Sequence, residues 1–400
     1  LWEKWFPADL ICESLPGQFR NWFYAMLAMS TIIENRSPFK VCFGYGMVRG
    51  EDGREMHKSW GNAIEFDEAA EIMGADVMRW MYCTKRPETD LLFGYQKADE
   101  IKKRFLIPLW NIYSFFVTYA YLDKWTSKNI VERSSLSLLD RWILSKLNVL
   151  IRDVSRFLED YDPCNAAMAL EKFVEELSTW YVRRSRRRFW KSERDEDKNA
   201  AYTTLYTCLT ILVKLLAPFI PFTSEEIYQN IVRNIDPTAH ESVHHNDWPE
   251  ADEKAIDQEL VVDMDLAVKI CGLGRSARTK AGIKLRQPLS SVTIVADHST
   301  SNRIKRLSDI IIDELNVKNL FFTTDKDELM EYSVKPVAKV LGRKYGRLLP
   351  KIQEKIAKMD SKTLALPLQK GLSVSLKVDG QSVELLPNEV KVTTLPRKGY

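Results

Sequence analysis

No two of the six cysteines, Cys12, Cys42, Cys83, Cys164, Cys208 and Cys271, stand close enough to make a CxxC pair. The usual spacing of a thiolate zinc site is therefore missing, and no zinc is expected within this chain. Isolated cysteines inside apolar stretches read as reduced core residues, which makes a reducing cytoplasm the expected compartment. No apolar run is read as a membrane-spanning segment, so no membrane span and no membrane partner are predicted. Repeats and low-complexity tracts are also lacking. The opening Leu1-Trp2-Glu3-Lys4-Trp5-Phe6-Pro7 is neither a start methionine nor a signal peptide. It reads like mid-domain sequence, and the chain is expected to be an internal fragment. Nor is there an excess of one charge: 58 basic and 55 acidic residues leave a net of +3, which selects no class of partner.

What is present is the composition of a folded protein. Of 400 residues 45% are hydrophobic and 28% charged, with 11 Trp, 15 Tyr and 17 Phe to fill cores. That length predicts two or three domains.

Along the chain, residues 1–95 mix strands with helices. Ala8–Cys12 reads as a short buried strand, and Gln18–Ile33 as a helix with aromatic and aliphatic residues on one face. Phe39–Val48 is β-rich and ends at the turn signal Glu51-Asp52-Gly53. Asp67–Met73 looks helical, with Gly74 as its stop and Asp76 as candidate cap of the next helix. Strands alternating with helices suggest the tail of a parallel α/β domain. From Lys97 to Asn234 the period becomes 3.6, with stripes such as Ile101, Phe105, Leu109, Ile112, Phe115 and Phe116 that suit a helix-bundle core. Residues 235–255 form a polar loop whose His240, His244 and His245 lack a partnering Cys or fixed carboxylate, so no metal site is expected there. After Asp257 a long helix runs to about Lys280. An α+β region follows, with strands near Ser291–Val295, Leu320–Thr324, Leu372–Val378 and Val383–Leu386.

Three segments carry chemistry. The turn Gly53-Arg54-Glu55-Met56-His57-Lys58-Ser59-Trp60-Gly61-Asn62 sits between a strand and a helix. A lysine on a mobile loop can close over a triphosphate and stabilise the charge that develops as pyrophosphate leaves. The first segment, Phe6 to Phe23, runs from a strand through a turn into a helix start, where ligands of open α/β sheets bind. Glu13 suits an ammonium or ribose hydroxyl, Gln18 can donate and accept, and Trp22 can wall an apolar pocket. A buried helix with Glu13 paired to Arg20 satisfies the same pattern. The third segment is Trp180-Tyr-Val-Arg183-Arg184-Ser-Arg186-Arg187-Arg188-Phe189-Trp190-Lys191, with five arginines in six positions surrounding a helix. Some must turn inward toward carboxylates such as Glu171, Glu175 or Glu176. The others, with Trp180 and Trp190, suit phosphate contact and stacking on unpaired bases.

These residues resemble isoleucyl-tRNA synthetases. The first segment is similar to the stretch that follows the family's editing insertion, Phe-Pro-Ala-Asp and then Glu-Gly-x-Asp-Gln-x-Arg-Gly-Trp-Phe. Glu13, Gln18, Arg20, Trp22 and Phe23 match, while Ser14, Gly17 and Asn21 depart. The turn resembles the Lys-Met-Ser-Lys-Ser signature loop, with Glu55 in place of its first lysine and His57 in place of serine. Gly44-Tyr-Gly46-Met-Val48 resembles the preceding strand. The Arg-Arg-Ser-Arg-Arg-Arg-Phe-Trp run, Leu216 to Tyr228 and Ser242 to Pro249 resemble the anticodon-binding bundle. Arg275-Ser-Ala-Arg278-Thr-Lys280-Ala-Gly-Ile-Lys284-Leu-Arg286 resembles the junction motif, and Asp313 to Val317 and Lys339 to Gly346 are further family phrases.

The resemblance implies a multidomain protein: an α/β Rossmann-like remnant (1–95), an all-α anticodon-binding helix bundle (96–250) and a small α+β domain (251–400). It implies ATP-dependent activation of isoleucine and its transfer to tRNA by a cytoplasmic monomer, with Mg²⁺ accompanying ATP. Lys58 would be the catalytic cation, supplemented by His57 when protonated, and Arg54 would partly replace the missing charge. Gly46, Val48, Met56, His57, Lys58 and Ser59 would bind ATP, and Glu13, Gln18 and Trp22 the aminoacyl-adenylate. Trp180, Arg183, Arg184, Arg187, Arg188 and Trp190 would contact tRNA, as would Lys280 and Arg286, which also suit a merely solvated basic face. The family's His-Ile-Gly-His motif and editing insertion are lacking, so this piece alone is not expected to catalyse. The family continues past Lys398-Gly399-Tyr400. Rival readings are a valyl or leucyl relative, and a paralogue that binds tRNA without charging it, as the departures at Gly17, Glu55 and His57 all fall in the catalytic half.

Overall fold

A computed structural model describes residues 2–127, 135–193 and 195–397, so Leu1 and the closing Lys398-Gly399-Tyr400 lie outside the described residues. The chain divides into two compact units, Leu1–Val262 and Asp263–Tyr400.

The first unit begins with parallel strands. β1 (Ala8–Ser14) pairs with β2 (Phe39–Tyr45) in a register that sets Glu13 beside Gly44, and helix Trp22–Glu34 makes the crossover. The helix starts four residues later than the apolar pattern suggests. A one-turn helix Leu15–Gln18 comes first, and Asn21 at φ −115°, ψ −100° breaks the path. β3 (Val48–Gly50) and β4 (Leu91–Phe93) form a second parallel pair, connected through helices Phe66–Met73 and Ala75–Cys83. Parallel pairs with helical crossovers are what an α/β unit requires.

The helical stretch from Tyr95 to Asp123 follows, long and apolar enough by composition to cross a membrane. Its Ile101, Phe105, Leu109, Ile112 and Phe116 are instead buried, as their spacing predicts. They join helices Leu138–Glu159, Pro163–Glu176, Arg183–Trp190 and Glu196–Leu216 in a bundle whose core holds Trp142, Tyr181, Phe189 and Tyr202. Trp80 reaches into this layer and stacks on Phe105 at 3.8 Å. Three π-helical turns, Lys102–Leu106, Leu177–Val182 and Gln229–Arg233, interrupt the regular pitch.

Helix Pro221–Tyr228 has Ile220 at its N-cap position and no capping side chain of its own there. Asp76, from 147 residues upstream, does the capping instead. Its carboxylate accepts from the Thr223 N–H and hydroxyl, both at 2.6 Å, and from the Phe222 N–H at 3.4 Å. One turn later Arg79 donates to the carbonyls of Pro218 (2.7 Å) and Phe219 (3.0 Å), the residues just past the preceding helix. Beyond, Glu225 accepts from Val243 N–H and the Ser242 hydroxyl, which pins the histidine loop to the bundle.

In the second unit, parallel strands β5 (Leu289–Val295) and β6 (Val317–Thr323) are joined through helices His298–Lys305 and Ser308–Leu315. Two antiparallel pairs follow: β7 (Met330–Pro336) with β10 (Val390–Pro396), and the hairpin β8 (Val374–Val378) with β9 (Gln381–Leu385). Helices Ala338–Tyr345, Leu349–Lys358 and Ser361–Gln369 pack onto them through Leu341, Ile352, Ile356, Leu364 and Leu368. β7 and β10 are absent from the sequence reading.

Candidate functional site

The loop bearing Lys58 is built from its two ends. Arg49 of β3 bridges to Glu55, the Gly50 N–H donates to the Arg54 carbonyl, and Gly53 turns the chain at φ +80°. Left-handed backbone favours glycine there. Asn62 then ties the far end back: its amide donates to the Glu55 carbonyl at 2.8 Å and accepts from the His57 N–H at 2.9 Å. Between these ties residues 57–61 form an exposed 3-10 turn, with the His57 ring edge-on to Trp60. Lys58 Nζ rests on the exposed carboxylate of Glu65 at 2.9 Å. Such exposed pairs are weak, so Lys58 can exchange Glu65 for a phosphate.

The surrounding charges depart from expectation. Glu55 lies 3.4 Å from the His57 imidazole and 3.8 Å from the Arg49 guanidinium. Arg54, read as a substitute for the missing lysine, is engaged with Asp52 at 2.6 Å. Arg49 is bound to Asp90 at 2.5 Å, and Asp90 also accepts from the Met47 N–H. Backbone donation and Arg49 hold the Asp90 carboxyl below its ordinary range. Gly46 is wedged against residue 89: a Cβ there would stand 2.8 Å from the Thr89 carbonyl carbon.

Glu13 stands at the C-terminal end of β1, not on Arg20. Its carboxylate accepts from the Ser14 N–H at 2.8 Å and the Tyr45 hydroxyl at 3.0 Å. Burial, and then this hydrogen bond to Glu13, push the Tyr45 phenol up. Gln18 accepts from the Trp22 N–H at 3.3 Å and so opens the following helix, and the Trp22 ring is exposed. Glu13, Gly44, Tyr45 and Gly46 therefore form one ledge at the ends of two parallel strands, the place where α/β sheets hold ligands. At Gly17 an added Cβ would meet only the Ser14 hydroxyl at 4.0 Å, so the backbone leaves room for the family's aspartate.

The arginine helix divides sharply. Arg183, Arg186, Arg187 and Trp190 are exposed and share one face at i, i+3, i+4, i+7 spacing. Arg186, passed over in the sequence reading, belongs with them. Trp180 and Arg188 are the corrections: both turn inward. Trp180 is buried beneath the Arg183 guanidinium, which lies 6.0 Å from its ring centroid. Arg188 grips Asp140 with two 2.8 Å hydrogen bonds, and Asp140 also accepts from the Tyr181 hydroxyl (2.6 Å) and the Ser137 hydroxyl (2.7 Å). Burial alone would raise the Asp140 carboxyl, but Arg188 and the two hydroxyls outweigh it and hold it low. Of the expected inward partners, Glu171 is taken by Arg104, and Glu176 by Lys146 and Lys172. Arg184 is half-buried.

Lys280 and Arg286 are exposed in the second unit. Buried Arg278 shapes their loop by donating to the carbonyls of Lys284, Gln287, Leu315 and Asn316 at 2.7–3.2 Å.

Residues 2–93 match the family "tRNA synthetases class I (I, L, M and V)", and residues 140–294 match "Anticodon-binding domain of tRNA ligase". The isoleucine–tRNA ligase of Clostridium tetani is 42% identical over 100% of this chain and 38% of its own length. That of Thermus thermophilus is 42% identical over 99% of this chain and likewise 38% of its own. The chain thus spans well under half the length of these relatives. Among solved structures, the ternary complex of Agrobacterium radiobacter K84 agnB2 LeuRS with tRNA and LeuAMS superposes with a TM-score of 0.50 at 20% identity. That match covers 63% of this chain and 30% of that one, and it speaks to the fold alone. Two family matches in the expected order, and identity carried across the whole chain, lead to one conclusion: the chain belongs to the isoleucine–tRNA ligase family of class I tRNA synthetases.

Proposed function

We propose that this chain is the part of an isoleucine–tRNA ligase that supplies the signature loop, the adenylate ledge and the tRNA-facing helices. The whole protein would activate isoleucine with ATP and pass it to tRNA. The observation that carries the reading is Lys58, presented on an exposed loop that Asn62 closes and held there by a solvent-exposed carboxylate. In the first step the isoleucine carboxylate attacks the α-phosphorus of ATP and pyrophosphate departs with added negative charge. Lys58 swings from Glu65 to take that charge, and Mg²⁺ enters as part of the substrate ATP. Gly46, Val48, Met56, His57 and Ser59 line the ATP side, and Glu13, Gln18 and Trp22 hold the adenylate. Arg183, Arg187 and Trp190 meet tRNA on the exposed stripe with Arg184 beside them, while Trp180 and Arg188 support that stripe from within. Lys280 and Arg286 add phosphate contacts. The divisions 1–95, 96–250 and 251–400 follow these roles, in a cytoplasmic monomer.

A second reading, a synthetase paralogue that binds tRNA without charging it, draws on Glu55 and on the commitment of Arg54 to Asp52, which together deplete the loop of cations. Amino-acid-dependent ATP–pyrophosphate exchange by the complete protein separates the two. Isoleucine-dependent exchange that falls by about 10²–10³ in Lys58→Ala supports the ligase. Absence of exchange with all twenty amino acids, in a protein that still binds tRNA, supports the paralogue.

A further inference from the structure

The near-neutral total charge conceals a division. Residues 1–262 carry 33 Lys and Arg against 40 Asp and Glu, a net of −7, whereas residues 263–400 carry 25 against 15, a net of +10. Much of the acid in this second unit is already engaged: Asp263 with Arg303 and Arg306, Glu314 with Arg275, Asp379 with Lys351, Glu354 with Lys358. Several of the remaining cations lie together along one helix.

Helix Ala338–Tyr345 contains no acid and buries Leu341 in the core. Its outward face carries Lys339, Arg343 and Lys344, and Arg347 follows in the next turn, all exposed. Among the described residues, Lys339, Arg343 and Arg347 make no ion pair. Lys339, Arg343 and Lys344 line, with Val340, a depression of about 400 Å³. The acid at its floor, Glu389, is buried and occupied by Lys344 (2.8 Å) and the Leu386 N–H (2.9 Å). A second observation points the same way. The β7–β10 register sets Lys335 directly opposite Lys391, both exposed, on the side away from buried Val334 and Val390. Like charges in opposed positions destabilise a sheet. The Val337 N–H donates to the Glu389 carbonyl at 2.9 Å, which ties the start of the basic helix to the strand that bears Lys391. Ordinary solvated surfaces intersperse the two signs; this helix exposes cations and no acid.

We infer that this face of the second unit binds the phosphate backbone of RNA, independently of base sequence and apart from the arginine stripe of the bundle. The inference rests on the reading of the protein as a tRNA ligase. Cations at i, i+4 spacing without exposed aromatics suit phosphates rather than bases: Tyr345 is half-buried, its hydroxyl on the Glu384 carbonyl. An anionic membrane surface would call for large apolar anchors among the cations, and the depression offers Val340.

The test is tRNA binding by the complete protein, followed over a salt series, for Lys339→Glu/Arg343→Glu and for the control Lys370→Glu/Lys377→Glu. The control makes the same charge change at exposed residues elsewhere in the unit. The first variant is expected to bind on the order of tenfold more weakly, with a log–log salt slope shallower by about two; the control should stay within about twofold. Unchanged affinity and slope in the first variant would overturn the inference, as would an equal loss in the control. Loss of binding to phosphatidylserine vesicles in that variant, with tRNA binding intact, would overturn the RNA assignment. Arg183→Ala/Arg187→Ala and the exchange assay report separately on the ligase reading. If the unmodified protein neither binds tRNA nor exchanges, that reading fails; if only the Lys339/Arg343 variant behaves like the parent, this inference alone fails.

Discussion

Asp140 concentrates several consequences in one carboxylate. It is fully buried, paired through both oxygens with Arg188, and held below the ordinary carboxyl range. A carboxyl whose pKa is lower in the folded than in the unfolded state stabilises fully above its unfolded pKa of about 3.9, and loses that contribution as pH falls through the folded value. Asp140→Asn should therefore cost about 3–5 kcal/mol near neutral pH, because it leaves the Arg188 charge buried without a counter-charge. Urea unfolding at pH 7 and again below pH 4 checks this: the gap between parent and variant should narrow in acid. Single residues were unevenly legible. Lys58, Glu13 and Gln18 stand out as candidates because their motifs are local. The inward turn of Trp180 and Arg188 could not, since a run of arginines all around a helix does not say which face a neighbour covers. Asn62 was missed for another reason: its two ties act on backbone atoms, which leave no side-chain pattern to read.

Among elements, helix Pro221–Tyr228 depends on a cap from outside itself. Local capping is easily read, and Ser137, Asp162 and Asp195 each accept from a backbone N–H of the helix they precede. Asp76 follows the same chemistry at a separation no local rule reaches. Asp76→Ala should cost about 1–2 kcal/mol, with amide exchange quickening first at Phe222 and Thr223. Uniform quickening across the bundle would count against a capping role. The apolar stripes were legible because buried residues at helical spacing must face one way, and Ile101, Phe105, Leu109, Ile112 and Phe116 are buried with Phe115 half-buried beside them. The π-helical turns were not, as a 3.6-residue template has no place for an extra residue.

At the scale of the molecule, the order of α/β, helical and α+β stretches was readable from changes of period. The pairing of β7 with β10 was not, because more than fifty residues separate strands whose register only tertiary packing selects. Glu55→Lys together with Gly17→Asp restores the family residues where the backbone has room. In the complete protein this pair should raise isoleucine-dependent exchange without altering tRNA affinity; a fall in exchange would show that the protein works with its altered loop as it stands. The π-helical turn Leu177–Val182 has a consequence for how such a protein can change. It acts as a phase-setter immediately upstream of the arginine stripe. Its wider turn holds one residue more than regular pitch would, so removing one residue there lets the helix close while Arg183, Arg187 and Trp190 keep their face. The same deletion inside the regular helix Arg183–Trp190 would rotate everything beyond it by about 100°. A one-residue gap is thus absorbed in one turn and a heavy lesion in the next.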